Sequence, residues 1–178
     1  MGSATLVSLE EYLNTSYEPD MDYVDGELVR RNVGTPKHSR LQLRVGAFFL
    51  QYEQSHQIAA FVEGRLSVHP ATGRYRVPDV MVVKEPFKAG KVIVDVPLII
   101  IEIKSPDDTL DDVLDRCLDY DKLGVRYVLV MDPDRKRAFT FEQGAFRLLT
   151  SSTITLELGQ GQDIDLPVAE LFAGLGED

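Results

Sequence analysis

One cysteine, Cys117, stands in a chain of 178 residues. That scarcity excludes an intramolecular disulfide framework and a cysteine-built zinc site, and it suits a reducing compartment. Long apolar runs are also missing, and the longest falls far short of the roughly 20 residues that span a bilayer. The N-terminal stretch "ATLVSLEEYL" is too poor in apolar residues for a signal-peptide core and turns acidic at once. No internal repeat, low-complexity tract or linker interrupts the chain. These absences point to one cytoplasmic domain over residues 1–178, with no membrane partner and enough length to bury a proper core.

Positive charge is the other deficit. The net charge is -10, which argues against a general nucleic-acid binder because phosphate contact relies on Lys and Arg. The deficit is uneven. Residues 26–76 carry eight bases against three acids, an excess of +5 that leaves -15 for the rest. One part of the molecule is basic.

What is present reads as alternating helices and strands. "SLEE" at 8–11 has the form of a capping box and opens a short helix to about Asn14. Asp25-Gly26 between Tyr23-Val24 and Leu28-Val29 signals a hairpin. Thr35 and Pro36 are the N-cap and first residue of a long amphipathic helix, expected to reach about Ser55, with Leu41, Val45, Phe48, Phe49 and Tyr52 at helical spacing. "IAAFVEGRLSV" and "YRVPDVMVV" read as two strands joined by a turn at "HPATGR", and "PLIIIEIK" as a third. "DDTLDDVLDRCLDYDKLG" is a helix that is acidic in its first turn and ends at Gly124. "VRYVLVMDP" is the next strand. "KRAFTFEQGAFRLLT" and "TITLELG" supply more, and "LPVAELFAGL" closes the chain as a short helix. The central order of helix, strand, strand, strand, helix, strand predicts an α/β (α+β) fold with a mixed central sheet flanked by helices. An N-terminal hairpin and C-terminal strands are added to that core.

The stretch "VPLIIIEIKSPDD" carries the chemistry. Alternation puts Glu102 and Lys104 on one face of a strand and Ile101 and Ile103 on the other. Asp79, just after Pro78, would lie beside Glu102 if the two strands pair antiparallel. Two carboxylates, with the Ile103 backbone carbonyl between them, are hard oxygen ligands suited to Mg²⁺ or Mn²⁺. Such a cation lowers the pKa of a water and neutralises phosphate charge, and Lys104 would orient or deprotonate that water. The alternative for Glu102 and Lys104 is a strand surfacing at its end with a cross-strand salt bridge. For Asp79 it is a turn acid after proline.

"PD", twenty-two residues and then "EIK" resembles the PD-(D/E)XK signature of restriction-endonuclease-like nucleases. More narrowly the chain is similar to the Uma-two family of restriction endonucleases. The similarity rests on "SLEEYL", "DYVDGELV", "TPKHSRL", "VPDVMVV", "IEIKSP", "YDKLGVRYVLVMDP" and "DLPVAELF" in that order. It implies Asp79 and Glu102 as metal ligands and Lys104 as the catalytic lysine. It adds Glu27 of "DGEL" as a further metal-shell acid and His38 at the start of the long helix. Two positions depart from the family: Val77 where members often have Gln, and Arg116 where they often have Lys.

The remaining candidates are plainer. Glu27 is otherwise a residue after a hairpin turn, and His38 a solvated first-turn residue. His56 and His69 read as surface, and the acids of 107–121 as a solvated helix face. Arg40 and Arg44, one helical turn apart, are ordinary helix-surface charge or contacts to substrate phosphate. The expectation is a Mg²⁺- or Mn²⁺-dependent endonuclease acting on DNA as a homodimer, the dimer by analogy alone. Its rival is a catalytically silent nuclease-fold module for binding or assembly.

Overall fold

The computed structural model describes residues 6–176 except Val33, Ala89 and Gln160. Helix α1 (Leu9–Asn14) is capped by Ser8, whose side chain accepts from the Glu11 amide. Strands β1 (Asp22–Val24) and β2 (Glu27–Val29) form the expected hairpin around Asp25 and Gly26, both at positive φ. Helix α2 (Pro36–Leu50) begins as its sequence dictates, with Thr35 accepting from the His38 amide and Pro36 at the first position. It stops short of Ser55. A separate turn, α3 (Glu53–His56), follows, and Glu53 accepts from the Ala60 amide at 2.8 Å.

The two strands expected next are each broken in the middle. The first divides into β3 (Ile58–Val62) and β4 (Leu66–His69), the second into β5 (Arg74–Arg76) and β6 (Val80–Lys84). Glu63 takes φ 54°, and at Gly64 a Cβ would come within 2.7 Å of Met81 Cε, so the chain bends where a side chain has no room. On the facing strand Pro78 has no amide to give a ladder. The single long hairpin therefore serves two sheets.

The chain continues with β7 (Ile99–Ile103), α4 (Leu110–Leu123), β8 (Tyr127–Asp132), β9 (Arg137–Glu142), β10 (Ala145–Leu148), β11 (Ile154–Glu157), β12 (Asp163–Leu166) and α5 (Val168–Phe172). The large sheet has the order β10-β9-β8-β7-β6-β3, and the smaller one the order β2-β1-β5-β4. β7 and β8 are parallel, joined by α4 as crossover, and the other neighbours in the large sheet are antiparallel. The sheet is mixed and flanked by helices, as expected. β11 and β12 make a separate two-stranded ribbon. β12 went unread in the sequence, although "DIDL" alternates exposed Asp163 and Asp165 with buried Ile164 and Leu166.

Each face of the large sheet has its own core. Ile99, Ile101 and Ile103 pack with Leu41, Val45 and Phe49 of α2 and Leu171 and Phe172 of α5. Ile100, Val128 and Val130 pack under Val113, Cys117 and Tyr120 of α4. Every residue of β7 is buried, so each isoleucine contributes roughly 1.5–3 kcal/mol of transfer free energy. Helix α4 is fixed at both ends. Thr109 and Asp112 form a reciprocal capping box, and Gly124 ends the helix at φ 90°. Among the described residues no helix is long and apolar enough to cross a membrane.

Candidate active site

β6 and β7 pair with Val80 opposite Ile101, and one further step along that register sets Asp79 opposite Glu102. Asp79 alternates with Val80 and so lies on the α4 side of the sheet, with Glu102. Both are 2% exposed. An isolated carboxylate would not persist there, and each is held by a dense set of partners.

The Asp79 carboxylate meets the Arg31 guanidinium at 2.5 Å through Oδ1. Its Oδ2 accepts from the Ile103 amide at 2.7 Å and lies 3.4 Å from His38 Nε2. Burial pushes this carboxyl up. The His38 hydrogen bond, the Arg31 charge and the Ile103 amide outweigh burial and hold it below the usual value. Burial also opposes charge on His38, but the bond to Asp79 raises its imidazole above the ordinary range. Gly34 permits this arrangement, since a Cβ there would come within 2.8 Å of His38 Nδ1.

Glu102 behaves differently. Tyr120 donates to its Oε1 at 2.7 Å, and Arg116 Nε lies 3.1 Å from Oε2. The Arg116 contact is ionic, its angle too bent for a hydrogen bond. Burial and the Asp79 charge together exceed the help from Arg116, Arg31 and Tyr120, so the Glu102 carboxyl is raised. Two carboxylates in one site thus split, one held acidic and the other pushed toward neutrality. Arg116 also reaches Asp108 at 3.5 Å, and Asp108 accepts from the Ser105 amide and from Asn32.

A buried ion network positions the site from below. Arg76 bridges Asp22 at 2.9 Å and Asp119 at 2.6 Å, Asp22 accepts from the Val77 amide, and Arg74 joins at Asp119. This clamp ties β5 to β1 and α4 two residues before Asp79. The acids of 107–121 are accordingly no plain solvated face. Asp119 is buried in the clamp, Asp112 caps α4, and Asp108 lines the site.

The structure brings together Asp79, Glu102, His38 and the Ile103 main chain around a cavity of about 10 Å³. In an extended strand a residue's amide and carbonyl point the same way. The Ile103 carbonyl therefore points to the Asp79 side, as its amide does. Lys104 follows on the same strand face as Glu102, its Nζ 3.3 Å from the Ser105 carbonyl. It lines an adjoining cavity between α4 and β8–β10.

Three sequence candidates lie elsewhere. Glu27 is exposed on β2 opposite Val24, at the turn end of the hairpin, and it does not line this cavity. Among the described residues no three His, Cys, Asp or Glu side chains converge as a metal cluster. Glu27 is therefore no third acid of the shell, because its strand carries it away from the hairpin end that bears Arg31. Arg40 and Arg44 are committed to the C-terminal segment, donating to the carbonyls of Gly174 and Glu170 at 3.0 and 2.6 Å. They face α5 and not the cavity. The basic stretch 26–76 likewise forms no open face. Arg31, Arg65, Arg74 and Arg76 pair internally with Asp79, Asp20, Asp119 and Asp22.

Arg31, Tyr120 and Asp108 were missed in the sequence. Helix α4 did carry a signal. Val113, Arg116, Cys117 and Tyr120 share one stripe, and an arginine on an otherwise buried stripe points to a buried acid. Nothing local marks Arg31.

The donors suit a hard cation: two carboxylates and a main-chain carbonyl, all oxygen. Arg31 and Arg116 occupy carboxylate oxygens that such an ion would use.

Comparison with known proteins agrees with this architecture. A crystal structure titled as a putative nuclease belonging to DUF820 from Anabaena variabilis ATCC 29413 matches with a TM-score of 0.77 and 22% identity. It covers 95% of this chain and 99% of that one. That similarity speaks to the fold. A cryo-EM structure of the DrdV–DNA complex overlays 78% of this chain on 13% of that chain, with 13% identity and a TM-score of 0.36, too weak to carry an argument. No curated protein matches. The model of the Uma2 family, described as "Putative restriction endonuclease", matches residues 9–171, and the chain belongs to that family.

Proposed function

We propose that the protein is a divalent-metal-dependent endonuclease that hydrolyses phosphodiester bonds, with DNA as its substrate. The observation that carries this reading is the convergence of Asp79, Glu102 and the Ile103 main chain, with Lys104 next on the same face. Asp79, Glu102 and the Ile103 carbonyl would hold Mg²⁺ or Mn²⁺. When bound, the cation supplies an acidified water and neutralises charge on the phosphate. Lys104 orients that water or steadies the charge developing on the phosphorus oxygens. His38 and Arg31 hold Asp79 ionised and in place, and Tyr120 orients Glu102. One such centre cuts one strand, so duplex cleavage calls for a homodimer. We take residues 1–178 as a single nuclease-like unit working in the cytoplasm.

A second reading is favoured by one observation. Both carboxylates already have arginine partners, as they would in a catalytically silent module kept for binding or assembly. Two measurements separate the readings. Mn²⁺ titration should show binding to the wild type that Asp79→Ala and Glu102→Ala abolish. Plasmid, single-stranded DNA and RNA with Mg²⁺ or Mn²⁺ should be cut by the wild type and spared by Lys104→Ala. Mn²⁺ binding indifferent to Asp79 and Glu102 would sink the metal site. Cleavage unchanged in Lys104→Ala would remove that lysine from the mechanism.

A further inference from the structure

Beside the carboxylate site, and sharing Lys104 with no other residue of it, lies a cavity of about 290 Å³ between α4 and the β8–β10 end of the large sheet. Its surface differs from every other part of the site. Val113 and Val130 line it, and Phe139 and Phe146 offer half-buried rings on adjacent antiparallel strands. Leu110, 69% exposed, overhangs it from the first turn of α4.

The polar groups on this cavity are mostly cationic. Lys104 stands on the side nearest Glu102, and Arg137 and Arg135 are exposed at the far side. Asp132 is the one acid there. It is buried and spends one oxygen on the amides of Asp134 and Arg135, with the Arg135 guanidinium 3.8 Å from the other. In a chain of net charge -10, three cations against one turned-in acid make a local reversal of sign. The reversal stands out further because the basic stretch 26–76 is consumed by internal pairs.

Aromatic rings with guanidinium and ammonium groups around an apolar floor are what an unstacked base and its phosphate require. An apolar peptide would be served by the rings but not by three cations. A free phosphate would be served by the cations but not by the rings. We propose that this cavity binds a nucleotide unstacked from its neighbours, adjoining the phosphate to be cut, with its base on Phe146 and Phe139 and its backbone on Arg137 and Arg135. The proposal rests on the nuclease reading and narrows its substrate to single-stranded, frayed or overhanging nucleic acid. Lys104, shared by the two compartments, sets the distance between base and scissile phosphate.

The test is binding of a labelled oligothymidylate, followed by fluorescence anisotropy in EDTA so that no cleavage intervenes, with a blunt duplex beside it. Phe146→Leu keeps apolar volume and removes the ring face. It should weaken oligothymidylate binding about tenfold or more, the scale of base–aromatic stacking, and change blunt-duplex binding little. Arg137→Gln, on an exposed residue, should lower the slope of log K against log salt by about 0.7, one phosphate contact on a single strand. Melting temperature and Mn²⁺ affinity should match the wild type in both variants. Binding of oligothymidylate by both variants as tight as by the wild type, or none by the wild type itself, overturns the proposal. Oligothymidylate binding that depends on Phe146 and Arg137, with no metal-dependent cleavage, upholds the cavity and fails the nuclease reading. Asp79-dependent cleavage with both variants binding normally does the reverse.

Discussion

Tyr120→Phe removes one oxygen and tests how the site tolerates a buried carboxylate. Tyr120 is fully buried on the inner stripe of α4, and its hydroxyl donates to Glu102 Oε1 at 2.7 Å. A hydrogen bond to a charged group contributes about 1.5–3 kcal/mol. Glu102 keeps only the bent Arg116 contact in the variant, so its charged form loses support on that scale. The sign follows from the raised carboxyl. Folded Glu102 holds its proton to higher pH than the unfolded chain does, so stability falls as pH rises from the unfolded value of 4.5 to the folded one. Tyr120→Phe extends that window upward and deepens the loss above it. At neutral pH the metal-free variant should melt about 3–12 °C below the wild type, and the gap should narrow in acid. Mn²⁺ competes with the same proton, so the pH at which Mn²⁺ affinity collapses should also move upward. Both are read by thermal unfolding and Mn²⁺ titration over a pH series. Equal melting temperatures and one shared Mn²⁺ pH profile would refute the reasoning, for the hydroxyl would then do nothing for the ionised form.

Arg76→Met should cost about 3–5 kcal/mol, because it strands Asp22 and Asp119 as buried unpaired charges; denaturant titration reads this. Mn²⁺ affinity should fall with it, since the clamp ends two residues from Asp79. Thr109→Ala should cost about 1 kcal/mol through the lost cap and leave Mn²⁺ affinity alone. Asp112, in the same box, is held below its usual value by Thr109, so its contribution is present above 3.8 and disappears as pH falls through the folded value. His38→Gln should destabilise most between about pH 4 and 6.5, where the wild-type imidazolium faces ionised Asp79. That difference should shrink as pH rises through the raised histidine value. A gap that instead widens toward alkaline pH would show that His38 acts as a neutral donor.

The strands and helices that follow one periodicity were legible in the sequence. α2, α4, β7 and β8 stand where apolar spacing and caps put them, because one buried face per element leaves a local trace. The ends and breaks were less so. α2 was read past Leu50, and the two long strands were read as continuous. Their division depends on which sheet each half joins, and that is set by contacts with β1 and Met81, distant in sequence. "DIDL" escaped because four residues of alternation pair only with β11.

The same division runs through the candidate site. The sequence by itself determined the proposed catalytic edge, since alternation on β7 places Glu102 and Lys104 on one face and pairing with "VPD" then supplies Asp79. Tertiary structure alone decided what surrounds those groups. Arg31 lies 48 residues from Asp79, Tyr120 lies 18 from Glu102, and Glu27 lies on the wrong end of its hairpin. It also decided the fate of the basic stretch, whose arginines turn inward to buried acids while Arg135 and Arg137 supply the open positive surface. The reason is physical. Side-chain direction along a strand is a local property with period two, whereas charge compensation is a search over whatever the fold brings within a few ångströms, and that neighbourhood is not written in any one segment.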